Sequence, residues 1–374
     1  MAVTSTDLEA IGARPIAEFD GVHDVWPRGE RLQAVREAAA AYKERFKAQG
    51  QIRAVKAIPI AAAPYPTTYA FHGAARAPAT PFVSIVNRMI VVQYDDFDGR
   101  LRTLVFEPTV PEGSAEAPFY HQLQQRMEAI PGGRRVAEAL YLKYFNEPEN
   151  VLPQVGLAPE DIDFATFDHL HVQDVRMIMG TAASSNGGSP PRRPLFPNAK
   201  LLVHRREVAT FDSLHPMQWA WYVDGGLDGV DRSSFVQFDG DIELGVGVSL
   251  IWTPGHTDGN HSLCLNTPDG VWVSSENGIA VDNWQPEQSK IPGVAAYAKF
   301  FRREIVPNAN TLEDSLDQYD SMVKEKTLAD PCRRDPRWLQ VFPSSELADW
   351  KRLWPVRPTF CHGTLEYGRI AKPS

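Results

Sequence analysis

The chain predicts a layered α/β fold, on three observations. Stretches with strand texture and stretches with helical periodicity are mixed along its whole length. Neither an internal repeat nor a low-complexity tract interrupts them. Its 374 residues, 43% hydrophobic and 23% charged, suffice to bury a large core without disulfide staples. One large domain with an N-terminal extension accounts for the length better than two unrelated domains, because single α/β units run to roughly 200–250 residues.

Residues 27–50 read as one amphipathic helix. Leu32, Val35, Ala39, Tyr42 and Phe46 recur at helical spacing among arginines and lysines, and Gly50 supplies the stop. Its apolar stripe is expected to pack on this chain's own body in preference to a second copy, although a homodimer through this helix is a partner arrangement the stripe also allows. From about Ile52 the texture turns strand-like. Residues 83–94 and 103–106 are rich in β-branched and aromatic side chains and flank the polar turn Asp95-Asp96-Phe97-Asp98-Gly99, which predicts a hairpin.

Helical texture follows over 120–130 and 134–145, and Pro159 is placed to start a short helix. Residues 164–167 form a short buried-strand candidate that leads directly into histidines. The Ser-, Gly- and Pro-rich stretch 182–197 reads as a loop that follows the first histidine cluster closely enough to act as a lid. Strands are expected over 201–203, 246–253, 261–265 and 271–274, with a helix starting at His204. The last third is more helical, over 294–301 and 312–327, until a final strand that ends at His362.

The formal charge of −9 argues against nucleic acid as the main partner, since phosphate binding needs a basic surface. Cys264, Cys332 and Cys361 are odd in number, far apart and without C-x-x-C pairing, so reduced thiols in a cytoplasmic protein are expected in place of a disulfide framework. The opening Met1-Ala2-Val3-Thr4-Ser5-Thr6-Asp7 has neither a basic nor an apolar region of a signal peptide, and no apolar run of 18 residues exists, so no membrane association is expected.

Four clusters carry chemistry. In Asp168-His169-Leu170-His171-Val172-Gln173-Asp174, two histidines at i and i+2 after a strand point to the same side and can share one metal ion, with Asp174 able to curl back from the following turn. By itself such a pair is a weak signal. Asp168 reads equally as a surface acid or as the acceptor for a ligand histidine's second N–H. In Thr253-Pro254-Gly255-His256-Thr257-Asp258-Gly259, Pro and Gly force a tight turn after an apolar strand and set His256 at its tip. The strand 271–274 then delivers the carboxylate Glu276, and Cys361-His362-Gly363 places a late histidine. Imidazole with carboxylate is a ligand mix that zinc accepts.

This ordered series resembles the metallo-β-lactamase superfamily, with T-P-G-H-T-D-G as its most specific part and about residues 52–374 covered. The resemblance implies a four-layer αββα sandwich over 52–374 with an N-terminal helical extension over 1–51. It also implies a metallohydrolase working through a metal-activated water at a dinuclear zinc site. His169, His171 and His256 would hold the first ion, and Asp174, Glu276 and His362 the second. The family's first motif normally reads H-x-H-x-D-H, whereas here Gln173 and Asp174 occupy its last two positions, and Glu276 after Ser275 replaces an Asp after Gly. An amide cannot serve as a base at neutral pH, so Asp174 or Glu276 is expected to take over proton transfer.

His261 and Trp284 are the candidates for substrate contact, and aromatics crowded near the motifs suit a small, partly apolar substrate. Ester, lactone, amide, phosphoester and carbon–halogen bonds all stay open. Two other readings stand beside hydrolysis. A carboxylate-rich site suits iron or manganese, hence an oxygen-dependent redox enzyme on the same scaffold, and the loss of the usual Asp at Gln173 suits a non-catalytic metal-binding protein.

Overall fold

The computed structural model describes residues 5–76, 80–182, 190–309, 315–351 and 354–373. Two sheets lie face to face. The smaller is antiparallel and runs in the order Arg14–Pro15, Ile242–Gly245, Val248–Trp252, His261–Thr267, Gly270–Ser274. The larger is mixed, in the order Glu366–Tyr367, Ala54–Pro66, Phe82–Asp95, Leu101–Phe106, Phe164–Thr166, Lys200–His204, Phe235–Phe238. Its last four strands are parallel to one another, and the expected hairpin pairs Val91 with Val105 and Gln93 with Thr103.

The strands of the larger sheet are apolar on both faces because each face is covered. Along Phe82–Asp95, Ile90, Val92 and Tyr94 meet Leu250, Leu263 and Leu265 of the smaller sheet. The alternate residues Met89 and Val91 meet Val151, Leu152, Val175, Ile178 and Val208 from helices on the outside. The smaller sheet is covered in turn by the long helix Arg28–Gln49 and by Ser315–Leu328, whose Tyr42, Phe46, Met322 and Val323 pack on Ile251, Cys264, Val271 and Val273. Helix, sheet, sheet, helix is the αββα sandwich, and double coverage is why these strands read as near-continuous apolar runs.

The stripe on Arg28–Gln49 therefore packs on its own chain, with Val35, Ala39, Tyr42 and Phe46 buried. Ion pairs secure it, with Arg31 reaching Asp317 at 2.6 Å and Asp320 at 2.6 Å, and Lys43 reaching Asp330 at 2.8 Å. The N-terminal segment also adds the edge strand Arg14–Pro15 to the smaller sheet.

Two expectations need correction. The helix expected over 134–145 stops at Tyr141, because Lys143–Tyr144 pairs as a short strand with Ala61 and Ala62. The final strand expected to end at His362 is absent, and 360–365 has no regular element. The last pairings come from Ser345–Leu347 and Glu366–Tyr367, too short to stand out in sequence. The helix expected over 312–327 is present over Ser315–Leu328, residues 310–314 lying outside those described. Most of the loop expected over 182–197 also lies outside, at 183–189, while its end is anchored by Phe196, which is buried against Ala199 and Leu201.

Candidate metal centre

The site lies where the motif loops leave the strand ends. Phe164–Thr166 ends at the first cluster, and Val248–Trp252 ends at the second. The second loop, between Val248–Trp252 and His261–Thr267, is shaped by two glycines with no room for a side chain. A Cβ on Gly255, whose φ is +120°, would sit 2.1 Å from the backbone nitrogen of Gln318, and one on Gly259 would sit 2.5 Å from that of Glu207. The T-P-G-H-T-D-G string is thus pressed between two helices, which positions His256.

Three imidazoles meet there. The ring centroids lie 4.7 Å apart for His169 and His171, 4.5 Å for His169 and His256, and 5.2 Å for His171 and His256. All three are buried, and their ligand atoms lie within 4.8 Å of one another. Glu276 joins on one side, its Oε2 being 3.9 Å from His169 Nε2. Both ring nitrogens of His171 are buried without a hydrogen-bond partner, a costly arrangement for a polar group unless a cation takes the lone pair. The donor set and its burial therefore fit a metal ion of zinc's preferences.

Electrostatics keeps two of the three rings neutral and sets the third against a carboxylate. Burial, and then the neighbouring His169, hold the pKa of His171 and His256 well below the usual imidazole range, so both are neutral. For His169, burial is outweighed by the Asp168 carboxylate, and its pKa rises to about 9. Asp168 is fully buried and accepts from His169 Nδ1 at 2.5 Å and from the Ser344 hydroxyl at 2.7 Å. It is thus an orienting acceptor and not a surface acid, and it leaves His169 Nε2 to face Glu276. Burial pushes the Glu276 carboxyl up to about 7, with His169 opposing.

Two buried carboxylates that sequence reasoning passed over hold the loops in place. Glu207 Oε1 accepts from Leu170 N at 2.9 Å and Tyr222 Oη at 3.0 Å, and its Oε2 accepts from Thr257 Oγ1 at 2.7 Å and Gly259 N at 3.2 Å. One side chain thus ties the loop of His169 and His171 to that of His256. Glu325 does the same for the strand end bearing Glu276, accepting from Asn277 Nδ2 at 2.7 Å, Ser262 Oγ at 2.8 Å and Trp284 Nε1 at 2.8 Å. An acid within a helix, as Glu207 and Glu325 both are, has no sequence signature of this role. Replacing Glu207 by Ala removes the acceptor of the buried donors Leu170 N, Thr257 Oγ1 and Gly259 N, each costing about 1–3 kcal/mol, so a loss of at least about 3 kcal/mol is expected in denaturant unfolding.

The other candidates are elsewhere. Asp174 turns away from the imidazoles to cap the helix Val175–Met179, and its carboxylate accepts from Arg176 Nε at 2.8 Å and Nη2 at 2.9 Å. His362 packs on Trp272 and Phe360, with Nε2 donating to the Leu339 carbonyl at 2.8 Å. Neither belongs to a potential ligand group among the described residues. His261 is buried between the sheets, its Nε2 3.1 Å from Thr166 Oγ1, and Trp284 is fully buried with its indole on Glu325. Both are core residues, because their strand and helix positions face inward. The described end of the 182–197 loop does not line the cavity.

That cavity, of about 270 Å³, has His169, His171, Gln173 and Glu276 at its floor. Its walls are Trp221, Phe119, Tyr120, Leu123 and Met127 on one side and the small residues Ala61, Ala62, Ala63 and Pro64 on the other. Phe119 stacks on Trp221 at 4.0 Å, which fastens the helix Pro118–Glu128 over the site. The turn below it is strained, since the β-branched Val172 has φ +55° and is held by a 2.6 Å bond from its N–H to the Trp221 carbonyl.

No family model matches the chain. Over 140 residues it is 29% identical to an N-acyl homoserine lactonase of Bacillus thuringiensis subsp. kurstaki, a stretch that makes up 37% of this chain and 47% of that protein. It is 30% identical over 140 residues, again 37% of this chain and 47% of the other, to an N-acyl homoserine lactonase of a Bacillus species. The chain thus spans about half the length of the curated relatives it matches. Among solved structures, a quorum-quenching N-acyl homoserine lactone lactonase overlays with a TM-score of 0.49 at 15% identity, covering 83% of this chain and 97% of that one. A dizinc quorum-quenching lactonase overlays with a TM-score of 0.46 at 11% identity, covering 86% and 96%.

Proposed function

We propose that the chain is a metal-dependent hydrolase of the metallo-β-lactamase fold that opens a lactone or simple ester bearing an apolar tail. The observation that carries this reading is the buried cluster of His169, His171 and His256, two of whose rings, His169 and His171, line an apolar cavity. Lactone opening is favoured over the other hydrolyses by the curated relatives, which are N-acyl homoserine lactonases.

His169, His171 and His256 would hold the ion, taken as zinc from the all-nitrogen donor set. When bound, zinc supplies Lewis acidity and lowers the pKa of water from 15.7 toward about 7. The Asp168 carboxylate keeps His169 in the tautomer with Nε2 toward the centre. Glu276 is the base, since Asp174 is occupied by Arg176 and Gln173 is neutral. Its Oε2 takes the proton of the attacking water and returns it to the leaving alkoxide as the acyl C–O bond breaks, giving a hydroxy acid from a lactone. Trp221, Phe119, Leu123 and Met127 take the tail and exclude water.

The test is turnover by the zinc-loaded protein on a panel of tail-bearing lactones, esters, phosphodiesters and haloaromatics. Ring opening of a tailed lactone, N-acyl homoserine lactones included, is the expected result. Zinc-loaded protein inactive on every lactone and ester would overturn the proposal. Filling the small-residue wall with Ala63→Phe should raise KM for long-tailed substrates about tenfold while sparing short ones, as roughly 1–3 kcal/mol of apolar contact is lost. Equal effects on long and short tails would remove the cavity from tail binding.

A further inference from the structure

We infer that this chain holds a single cation, on His169, His171 and His256, with the neutral Gln173 amide standing beside it where the H-x-H-x-D-H motif carries its Asp. This rests on the reading of the imidazole cluster as a metal centre and goes beyond it in fixing the number of ions. Three independent observations support it.

First, Asp174 is committed elsewhere. Its Oδ1 accepts from Arg176 N at 3.1 Å and Nε at 2.8 Å, and its Oδ2 accepts from Nη2 at 2.9 Å. Turning it toward the imidazoles would uncap a helix and strip a half-buried guanidinium of a two-pronged partner. Second, His362 is held elsewhere: its Nε2 donates to the Leu339 carbonyl at 2.8 Å, its ring lies between Trp272 and Phe360 at centroid distances of 4.8 Å and 5.1 Å, and it joins no group of potential ligands among the described residues.

Third, Gln173 is fixed as a neutral group at the cavity floor. It is 5% exposed and its Nε2 donates to Thr109 Oγ1 at 3.1 Å. A second dication there would face an amide where it needs an anion. Asp168, His169 and Glu276 form a second group of potential ligand atoms, but it shares His169 with the first, and both Asp168 oxygens are taken, Oδ1 by His169 Nδ1 at 2.5 Å and Oδ2 by the Ser344 hydroxyl at 2.7 Å. No further carboxylate among the described residues offers a ligand atom to the imidazoles.

The experiment is equilibrium dialysis of metal-stripped full chain against zinc, with bound metal counted by inductively coupled plasma mass spectrometry. One zinc per chain is expected, unchanged in His362→Ala and in Asp174→Asn. Two per chain, or loss of zinc in a His362→Ala protein that keeps its circular dichroism, would overturn the single-ion inference while leaving the metal reading intact. A wild-type chain that takes up none would sink that reading itself, and this inference with it.

Discussion

Glu276→Gln lowers kcat about 10²–10⁴-fold and leaves zinc bound, because it removes the base and keeps the shape of the side chain. Asp174 and Glu276 are the two acids the sequence offers to replace the family's Asp, and the structure separates them: Asp174 faces Arg176, while Glu276 stands 3.9 Å from His169 Nε2 and lines the cavity. Asp174→Asn should therefore change turnover far less, its cost being mainly a weakened helix cap of about 1 kcal/mol. The comparison is informative only with zinc content measured alongside kcat. If Glu276→Gln keeps near wild-type kcat at full zinc content, proton transfer lies elsewhere.

Stripping the metal with a chelator abolishes turnover and lowers thermal stability, and added zinc restores both. Without a cation, His171 keeps two buried nitrogens unpartnered, and the neutral His171 and His256 crowd a His169 that Asp168 holds protonated. An ion at a thousandfold excess over its Kd stabilises the folded state by about 4 kcal/mol. That corresponds to a downward shift of Tm on removal, by differential scanning calorimetry, of several degrees in a domain of this size. His171→Ala should show the same low Tm with or without zinc. A chelated wild type that retains activity would contradict any role for the metal.

How far the chain could be read without coordinates follows from the range of each signal. The long strands and the helix Arg28–Gln49 were legible because both faces of the large sheet are covered and the helix buries one regular stripe. His169, His171 and His256 were legible because tight motif loops must be spelled locally, with Gly255 and Gly259 pressed against neighbouring backbones. What escaped depends on contacts distant along the chain. Glu207 and Glu325 resemble ordinary helical acids until the loops they bind are folded against them. Asp174 looked like a ligand because its neighbours are histidines, yet the guanidinium two residues on claims it. His362 looked like the end of a strand that does not form, and Trp284 and His261 proved to be buried supports. The cavity's roof comes from Pro118–Glu128, whose helical texture gave no hint that Phe119 would stack on Trp221.

Zinc K-edge X-ray absorption on the loaded protein tests the central claim most directly. Three imidazole nitrogens at about 2.0–2.1 Å, reduced in number in His256→Ala, are expected. A shell containing thiolate sulfur, or one without imidazole scattering and unchanged in His256→Ala, would contradict it.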